Sequence, residues 1–404
     1  MIRFYWKLRQ PGLRGSLLVH TATMKASVLC DIAKFEVRDV PRPNLSPYDA
    51  LVRVAAVGLC GTDAHIFAGH ANYNSDEHGL PIPLTTRPQI LGHEISGYIA
   101  EVGSEVHDFE SDDQVVVDQG LNCVSCRRSP LCEYCQTGDS HQCEYYREHG
   151  ITGLPGGLAE FIAVPAVNVL HSRSSLKPAE AALVEPLGCV IHSSETVNRA
   201  ATRYRINGDS RERCVRSVLI CGAGPAGLLF TQFLRRVLCY DGLLMVTDPI
   251  EGKRNLAKRF GADRVFDSSV AGLQEQIHEN TGGRGVEYLI EASGVGGVLA
   301  SIPGLIRKQA TVLLYGHGHA GTDLSVLNSI MFREPTLVTP VGASGGFEND
   351  GRPSTYLRAL NLIEQGEIDV ASIITHRYTS LGAVQDALAN DIHARDYVKG
   401  VVVL

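Results

Sequence analysis

The 404-residue chain has few aromatic residues, a single tryptophan and no apolar run of about 18 residues. A run of that length is needed to cross a bilayer as a helix, so its absence argues against an integral membrane protein. Positive charge is also scarce, because 37 Lys and Arg residues face 44 Asp and Glu residues, a formal net charge of −7. That balance gives no general attraction to nucleic acid or to anionic membranes. We therefore expect a small-molecule partner, and neither nucleic acid nor a membrane.

Internal repeats and a clear secretory signal are also missing. The 11 cysteines are an odd number in a large chain, which favours reduced thiols and metal ligands over disulfides and predicts a cytoplasmic protein. Residues 1–23 carry four basic residues, no acid and the tryptophan, Trp6. We predict an extension upstream of the first domain, with a weak targeting segment as the alternative.

The length of the chain and its hydrophobic pattern predict two domains. Between Met24 and Pro165, short apolar or alternating runs are punctuated by Gly, Pro, Asn and Asp, which predicts a β-rich region. From Val218 onward, short buried strands alternate with helices, which predicts a parallel sheet covered on both faces. We therefore expect an α/β protein. Its β-rich domain would comprise residues 24–190 and 345–404, and its second domain residues 191–344.

The segment VLICGAGPAGLLFTQFL joins a predicted strand to a predicted helix through a G-x-G-x-x-G motif. Glycine permits the tight turn, lets the main chain approach a pyrophosphate and leaves the phosphates at the positive end of the helix. The alternative is a glycine turn in some other α/β sheet. The motif predicts a dinucleotide site that includes Gly222, Gly224, Pro225, Ala226 and Gly227.

An acidic residue stands where such a site binds the ribose. The strand LLMV is followed by Thr247 and Asp248, about 20 residues after the last glycine. A carboxylate there accepts both ribose hydroxyls and repels a 2′-phosphate, so we predict NAD in preference to NADP. Lys253 and Arg254 follow closely, and their positive charge keeps NADP open as the alternative.

The ligand types of an open zinc site are spread over three segments. GLCGTDAHIFAG contains Cys60, LGHEISG contains His93 and Glu94, and ALVEPLG contains Glu185. Each alone is compatible with a buried thiol, a core histidine or a solvated acid. Together they supply what a catalytic Zn²⁺ needs, which is about three protein ligands and one position for water or substrate.

These motifs resemble the zinc-dependent medium-chain dehydrogenases/reductases, a family that includes alcohol, sorbitol, threonine and glucose dehydrogenases. The resemblance runs from about Met24 to Leu404 and is most specific in CGTDAH, GHE, the cysteine cluster NCVSCRRSPLCEYCQTGDSHQC, EPLG and GAGPAG. It implies a GroES-like β-rich catalytic domain that holds zinc, a Rossmann domain that holds NAD, and a substrate cleft between them. It also implies a homodimer or homotetramer formed partly through Rossmann-domain edges.

The resemblance assigns the zinc ligands. Cys60 and His93 would bind the catalytic zinc, Glu94 would be a ligand or a close exchange partner, and Glu185 would face the metal directly or through water. Asp63 would orient a ligand histidine from behind.

Further roles follow from the same resemblance. Thr62 would accept the proton of the alcohol and pass it through the cofactor ribose to His65, although a surface histidine beside the loop would look identical in sequence. Lys253, Ser293 and Gly294 would contact the cofactor.

The cysteine cluster would be a second, structural zinc site with four thiolates. The C-x2-C-x7-C ending that the family carries is matched by Cys132, Cys135 and Cys143. Ser129 stands where the first cysteine should be, so Cys123 is predicted as the fourth ligand, with Cys126 as the alternative. Such a closed site contributes folding energy rather than catalysis. A disulfide pair is the competing interpretation.

Zinc polarises the hydroxyl group of an alcohol, and hydride then passes to a nicotinamide. We therefore predict an NAD-dependent dehydrogenase of secondary alcohols of the polyol or sugar-alcohol type, because EPLG resembles the polyol branch and the loop at residues 70–89 is polar. The alternatives are an L-threonine 3-dehydrogenase-like enzyme, a general alcohol dehydrogenase and a non-catalytic nucleotide-binding protein. In the loop, His70, Glu77 and His78 are predicted to be solvated rather than metal ligands.

Overall fold

The computed structural model describes residues 22–319 and 321–404. The predicted extension at residues 1–23 lies outside the described residues except for its last two positions. Within the described ranges, no helix combines the length and the hydropathy needed to cross a bilayer.

Strands and helices alternate with irregular segments along the chain. The strands are β1 (Thr23–Asp31), β2 (Lys34–Pro41), β3 (Asp49–Gly58), β4 (Glu94–Val102), β5 (Gln114–Val117), β6 (Gly120–Leu121), β7 (Arg147–Glu148), β8 (Phe161–Pro165), β9 (Val169–His171), β10 (Ser217–Cys221), β11 (Leu243–Thr247), β12 (Arg264–Phe266), β13 (Val286–Glu291), β14 (Ile306–Leu314), β15 (Thr336–Val338), β16 (Ile374–Tyr378) and β17 (Lys399–Val403). The helices are α1 (Gly61–Phe67), α2 (Glu133–Thr137), α3 (Pro178–Ala181), α4 (Val184–Arg199), α5 (Pro225–Gln232), α6 (Glu251–Arg259), α7 (Leu273–Asn280), α8 (Gly296–Leu305), α9 (Val326–Met331), α10 (Ser354–Glu364) and α11 (Val384–Ala389).

The first domain is built on a seven-stranded sheet in the order β16-β17-β3-β4-β5-β9, in which β8 also pairs with β3. Three strands contact β3, which explains why its apolar run is buried almost throughout and only Arg53 is exposed. The last strand of the chain, β17, lies antiparallel to β3, so the tail returns to the first domain. This register places Val401 and Glu94 opposite Gly58 on its two sides.

The second domain is a six-stranded parallel sheet in the order β12-β11-β10-β13-β14-β15. Helices cover both faces of such a sheet, and accordingly every residue of β10 and β13 is buried. The order reverses between β10 and β13, which is where a doubly wound sheet opens a crevice for a ligand at the carboxyl ends of its strands. The predicted α/β architecture is confirmed.

The segment PAEAALVEPLGCVIHSSETV, residues 178–197, has a continuous helical pattern of apolar residues, but the structure divides it into α3 and α4. Pro186 has no amide hydrogen to donate to a preceding turn, so it is tolerated only near the start of a helix. The chain restarts at Val184 and places Pro186 in the first turn of α4. Since α4 continues to Arg199, we propose that it connects the two domains, with boundaries at residues 190 and 345.

Candidate active site and metal centres

Cys60, His93 and Glu94 meet at one end of the antiparallel pair β3 and β4. Cys60 follows the end of β3 and precedes α1, whereas His93 directly precedes β4 and Glu94 begins it, opposite Gly58. The thiol sulfur, an imidazole nitrogen and a carboxylate oxygen all lie within 4.8 Å of one another. His93 is 3% exposed and Glu94 is fully buried. The strand register therefore brings Cys60 together with two side chains that lie more than 30 positions further along the chain.

This set of donors fits a zinc ion. Sulfur, imidazole nitrogen and carboxylate oxygen are the ligand atoms that Zn²⁺ takes in proteins. Within the described residues the buried atom Glu94 Oε2 has no hydrogen-bond partner, whereas buried polar atoms ordinarily are paired. A Cβ at Gly58 would lie 1.9 Å from Glu94 Oε2, so only glycine leaves room for this carboxylate.

Lys399 is a member of the site that the motifs did not predict. Its ammonium group donates to Glu94 Oε1 and to the carbonyl oxygen of Leu59, 2.9 Å away. Lys399 is 3% exposed. Burial acts against protonation, but the carboxylate of Glu94 and the thiol of Cys60 raise the pKa of Lys399, so the ammonium stays charged at neutral pH.

Asp63 fixes the main chain around the ligands. Its Oδ2 accepts a hydrogen bond from the amide of Cys60 at 2.9 Å, and its Oδ1 accepts one from the amide of Gly92 at 3.2 Å. Oδ1 also lies 3.6 Å from His93 Nδ1. One fully buried carboxylate thus holds both segments that carry the candidate ligands.

Glu185, in the first turn of α4, lies beside this cluster but outside the 4.8 Å set. Its Oε1 accepts hydrogen bonds from Gln119 Nε2 at 3.4 Å and from Cys189 Sγ at 3.3 Å. Burial raises the pKa of Glu185 to about 7, with His93 opposing the rise and Glu94 adding to it. The Tyr356 hydroxyl, from α10, donates to Gln119 Oε1 and so turns the amide group of Gln119 toward Glu185.

Thr62 and His65 lie on α1, and the Thr62 hydroxyl is 3.8 Å from Cys60 Sγ. The ring of His65 is 5.4 Å from that of His317, which follows β14 in the second domain. Burial and the nearby His317 lower the pKa of His65, which favours a neutral imidazole. Tyr73, from the loop at 70–89, places its hydroxyl 3.3 Å from His317 Nε2, so this loop borders the space between the domains.

The rest of the loop at 70–89 is largely irregular. His70, Glu77 and His78 are exposed. They belong to neither of the two groups of side chains in the described residues that could bind a metal ion.

The cysteine cluster forms a compact lobe after β6. The sulfur atoms of Cys123, Cys132, Cys135 and Cys143 lie within 4.8 Å of one another. Cys126 is exposed and stands outside this group. No disulfide is present in the described residues, and the donors of the lobe fit a closed site of four thiolates.

The glycine motif forms the turn between β10 and α5, where Gly224 is the N-cap residue and Pro225 and Ala226 begin the helix. Gly222 has φ +103°, and a Cβ at Gly227 would lie 1.9 Å from the carbonyl oxygen of Gly222. Both positions therefore require glycine, the first for its backbone conformation and the second for close packing.

The carboxylate of Asp248, after β11, accepts hydrogen bonds from the amides of Ala223 at 2.9 Å and Ile250 at 2.8 Å. It is therefore held against the glycine loop. Lys253 lies in the first turn of α6, and Ser293 and Gly294 follow β13, the neighbour of β10. The predicted cofactor residues thus surround the carboxyl ends of adjacent strands.

Comparison with known proteins shows what this chain is similar to. Residues 46–174 match the alcohol dehydrogenase GroES-like domain, and residues 225–365 match the zinc-binding dehydrogenase domain. L-threonine 3-dehydrogenase of Pyrococcus furiosus is 30% identical over 349 residues, which cover 86% of this chain and 89% of that protein. Sorbitol dehydrogenase of Bacillus subtilis is 27% identical over 391 residues, covering 96% and 99%. A solved structure described as a zinc-binding dehydrogenase from Sinorhizobium meliloti 1021, bound to NADP, is 28% identical with a TM-score of 0.76, covering 95% and 100%.

Proposed function

The chain belongs to the zinc-dependent medium-chain dehydrogenases/reductases, and from this premise we propose that it oxidises a secondary alcohol of the polyol or sugar-alcohol type with NAD as the hydride acceptor. The observation that carries the proposal is the cluster of Cys60, His93 and Glu94, in which Glu94 Oε2 lacks a partner among the described residues, as a metal ligand would without its ion. Bound zinc would polarise the hydroxyl group of the substrate, and NAD would take the hydride.

The residues around the cluster support this chemistry. Thr62, beside Cys60, offers a hydroxyl that can accept the proton of the alcohol. His65, whose pKa is lowered, is in the neutral form that can receive that proton next. Glu185 and Gln119 supply hydrogen-bonding groups at the same end of the cleft, which favours a substrate with more than one polar group.

An amino alcohol is the second candidate substrate. It is favoured by the 30% identity to L-threonine 3-dehydrogenase over most of both chains. The polyol proposal is supported by the match to sorbitol dehydrogenase over nearly the whole of both chains. Both substrates carry a polar group beside the reacting carbon, so they share the requirements of the site.

The second metal site is proposed as structural zinc bound by Cys123, Cys132, Cys135 and Cys143. For the cofactor, the carboxylate of Asp248 beside the glycine loop supports NAD over NADP. The free thiols in the described residues support a cytoplasmic protein.

We propose that two or four copies assemble through the edge of the second sheet. Beside its edge strand β15, apolar side chains are exposed to an unusual degree: Leu324 is 75% exposed, Met331 70% and Phe332 83%. The variant Phe332→Asp should shift the mass measured by light scattering toward the monomer. An unchanged mass would contradict this interface.

The function is tested by elemental analysis of the purified protein together with reduction of NAD and NADP over polyols, sugars, L-threonine and simple alcohols. We expect up to two zinc ions per chain and turnover of a polyol with NAD. The variant Cys60→Ser should remove activity, whereas Cys126→Ser, which changes an exposed cysteine outside both clusters, should not. A protein without zinc and without turnover of any alcohol would overturn the proposal.

A further inference from the structure

Glu148 is an acidic residue near Glu185 to which neither the motifs nor the zinc cluster gives a role. It lies on β7, directly opposite Gly120 of β6, and the amide of His149 donates to the carbonyl oxygen of Gln119 at 3.0 Å. This short ladder places the side chain of Glu148 beside Gln119. Its position is therefore set by main-chain pairing.

One amide group links Glu148 to Glu185. The Nε2 atom of Gln119 lies 3.5 Å from Glu148 Oε1 and 3.4 Å from Glu185 Oε1. The Tyr146 hydroxyl donates a second hydrogen bond to Glu148 Oε1 at 2.9 Å. The carboxylate of Glu148 is thus oriented from two sides and lies one amide group away from the candidate reaction centre.

The other carboxylate oxygen of Glu148 is free. Among the described residues no donor lies within hydrogen-bond distance of Oε2, and no Lys, Arg or His forms an ion pair with Glu148. Oε2 is also not one of the fully enclosed atoms that lack a partner, so it is open to the surroundings. A half-buried carboxylate oriented through one oxygen leaves the other available to a ligand that donates hydrogen bonds.

A further neighbour of Glu148 is Tyr73, from the loop at 70–89. After burial itself, the charge of Glu148 is the cause that raises the pKa of Tyr73, which places Tyr73 within electrostatic range of the carboxylate. Tyr73 in turn touches His317 of the second domain. Glu148 is therefore one amide group away from Glu185 and within electrostatic range of Tyr73, which contacts the second domain.

We propose that Glu148 determines substrate specificity by accepting a hydrogen bond from a hydroxyl or ammonium group carried near the reacting carbon of the substrate. This inference rests on the proposed function and deepens it. The charge of Glu148 disfavours a phosphate or a carboxylate at the position that contacts it. A neutral polyol could donate to Glu148 through a hydroxyl group, and a cationic amino alcohol could donate to it through its ammonium group.

Three substrates that differ in one group test the proposal: 2-butanol, 2,3-butanediol and 3-amino-2-butanol, alongside the best polyol found for the wild-type protein. Glu148→Leu should lower kcat/KM for the diol, the amino alcohol and the polyol by roughly ten- to hundredfold, mainly through KM, because a hydrogen bond to a charged acceptor is lost. It should leave 2-butanol unchanged, because that alcohol has no second donor.

Glu148→Gln distinguishes a substrate that donates through a hydroxyl group from one that donates through an ammonium group. A glutamine keeps a neutral acceptor for a hydroxyl but loses the charge that attracts an ammonium group, so the amino alcohol should lose more than the diol. Tyr146→Phe removes only the hydroxyl that orients Oε1 of Glu148. It should lower kcat/KM less than Glu148→Leu does, and it should affect the same substrates. Glu144→Gln is the matched control, since Glu144 is exposed in the same segment and should change none of the values.

Melting temperature and zinc content show whether each variant is folded. Equal losses on all substrates, 2-butanol included, would overturn the specificity role, and so would unchanged kinetics in Glu148→Leu. Either result with an active wild-type protein leaves the proposed function standing. A wild-type protein that oxidises none of the alcohols would overturn both proposals.

Discussion

Replacing Lys399 by methionine should destabilise the zinc-free protein strongly, because it leaves the charge of Glu94 unpaired in the interior. The pair is buried on both sides, with side-chain exposures of 3% for Lys399 and 0% for Glu94. Removing one partner of a buried ion pair costs about 3–5 kcal/mol. For a domain of about 200 residues this corresponds to a fall in melting temperature of roughly 6–20 °C.

The structure supplies a control of the same chemistry. Lys25 forms an ion pair with Asp39 at 2.8 Å, but the two side chains are 53% and 60% exposed. Pairs of this kind contribute about 0–1 kcal/mol, so Lys25→Met should lower the melting temperature by no more than about 4 °C.

The double variant Glu94→Gln/Lys399→Met tests the cause. If the cost comes from the unpaired carboxylate, removing its charge should recover part of the stability lost in Lys399→Met. Calorimetry gives the melting temperatures of the wild-type protein, both single lysine variants and the double variant. The reasoning is refuted if Lys399→Met melts like Lys25→Met, or if the double variant is no more stable than Lys399→Met.

Three further changes probe the remaining parts of the structure. Gly58→Ala should abolish activity with a smaller loss of stability than Lys399→Met, because the new Cβ would overlap the free oxygen of the candidate ligand Glu94; steady-state rates equal to wild type would contradict that packing. Cys135→Ser should lower both melting temperature and zinc content by removing a buried thiolate, whereas Cys126→Ser should change neither, as calorimetry and elemental analysis will show. Asp248→Ser should weaken NADH binding and reduce its preference over NADPH by about tenfold in fluorescence titrations, and an unchanged ratio would refute the ribose role.

The local pattern of apolar residues predicted the secondary structure well where a segment forms a single strand or helix. The runs ALVRVAAVG and VLICGAG became β3 and β10, because an apolar run bounded by turn residues suits a strand buried between neighbours. The same pattern did not predict the break at residues 182–183. There the apolar periodicity continues through both helices, and only the proline at 186 signals that the first cannot continue into the second.

Some residues of the candidate site could likewise be predicted from the sequence, and others could not. Cys60, His93 and Glu94 were found from motifs, because their residue types and spacing carry chemistry. Lys399 and Tyr356 were not found, since they reach their partners across 305 and 237 positions and nothing in their own segments identifies those partners. For Lys399 a signal was present, because a lysine inside the apolar run YVKGVVVL must either reach solvent or meet a buried acid.

In the cysteine lobe, main-chain geometry favours one of two candidate ligands that sequence spacing leaves nearly equivalent. Cys123 and Cys126 both precede the five-residue insertion RRSPL, so sequence distance favours neither strongly. In the folded chain the amide of Cys132 lies 3.4 Å from Cys123 Sγ, and Cys123 Sγ lies 3.6 Å from Cys143 Sγ. An amide donor stabilises a thiolate as it does any anion, and a buried thiolate needs such donors because four of them carry more charge than one Zn²⁺ neutralises. Cys126, exposed to water, has no such requirement, which is why we propose Cys123 as the fourth ligand.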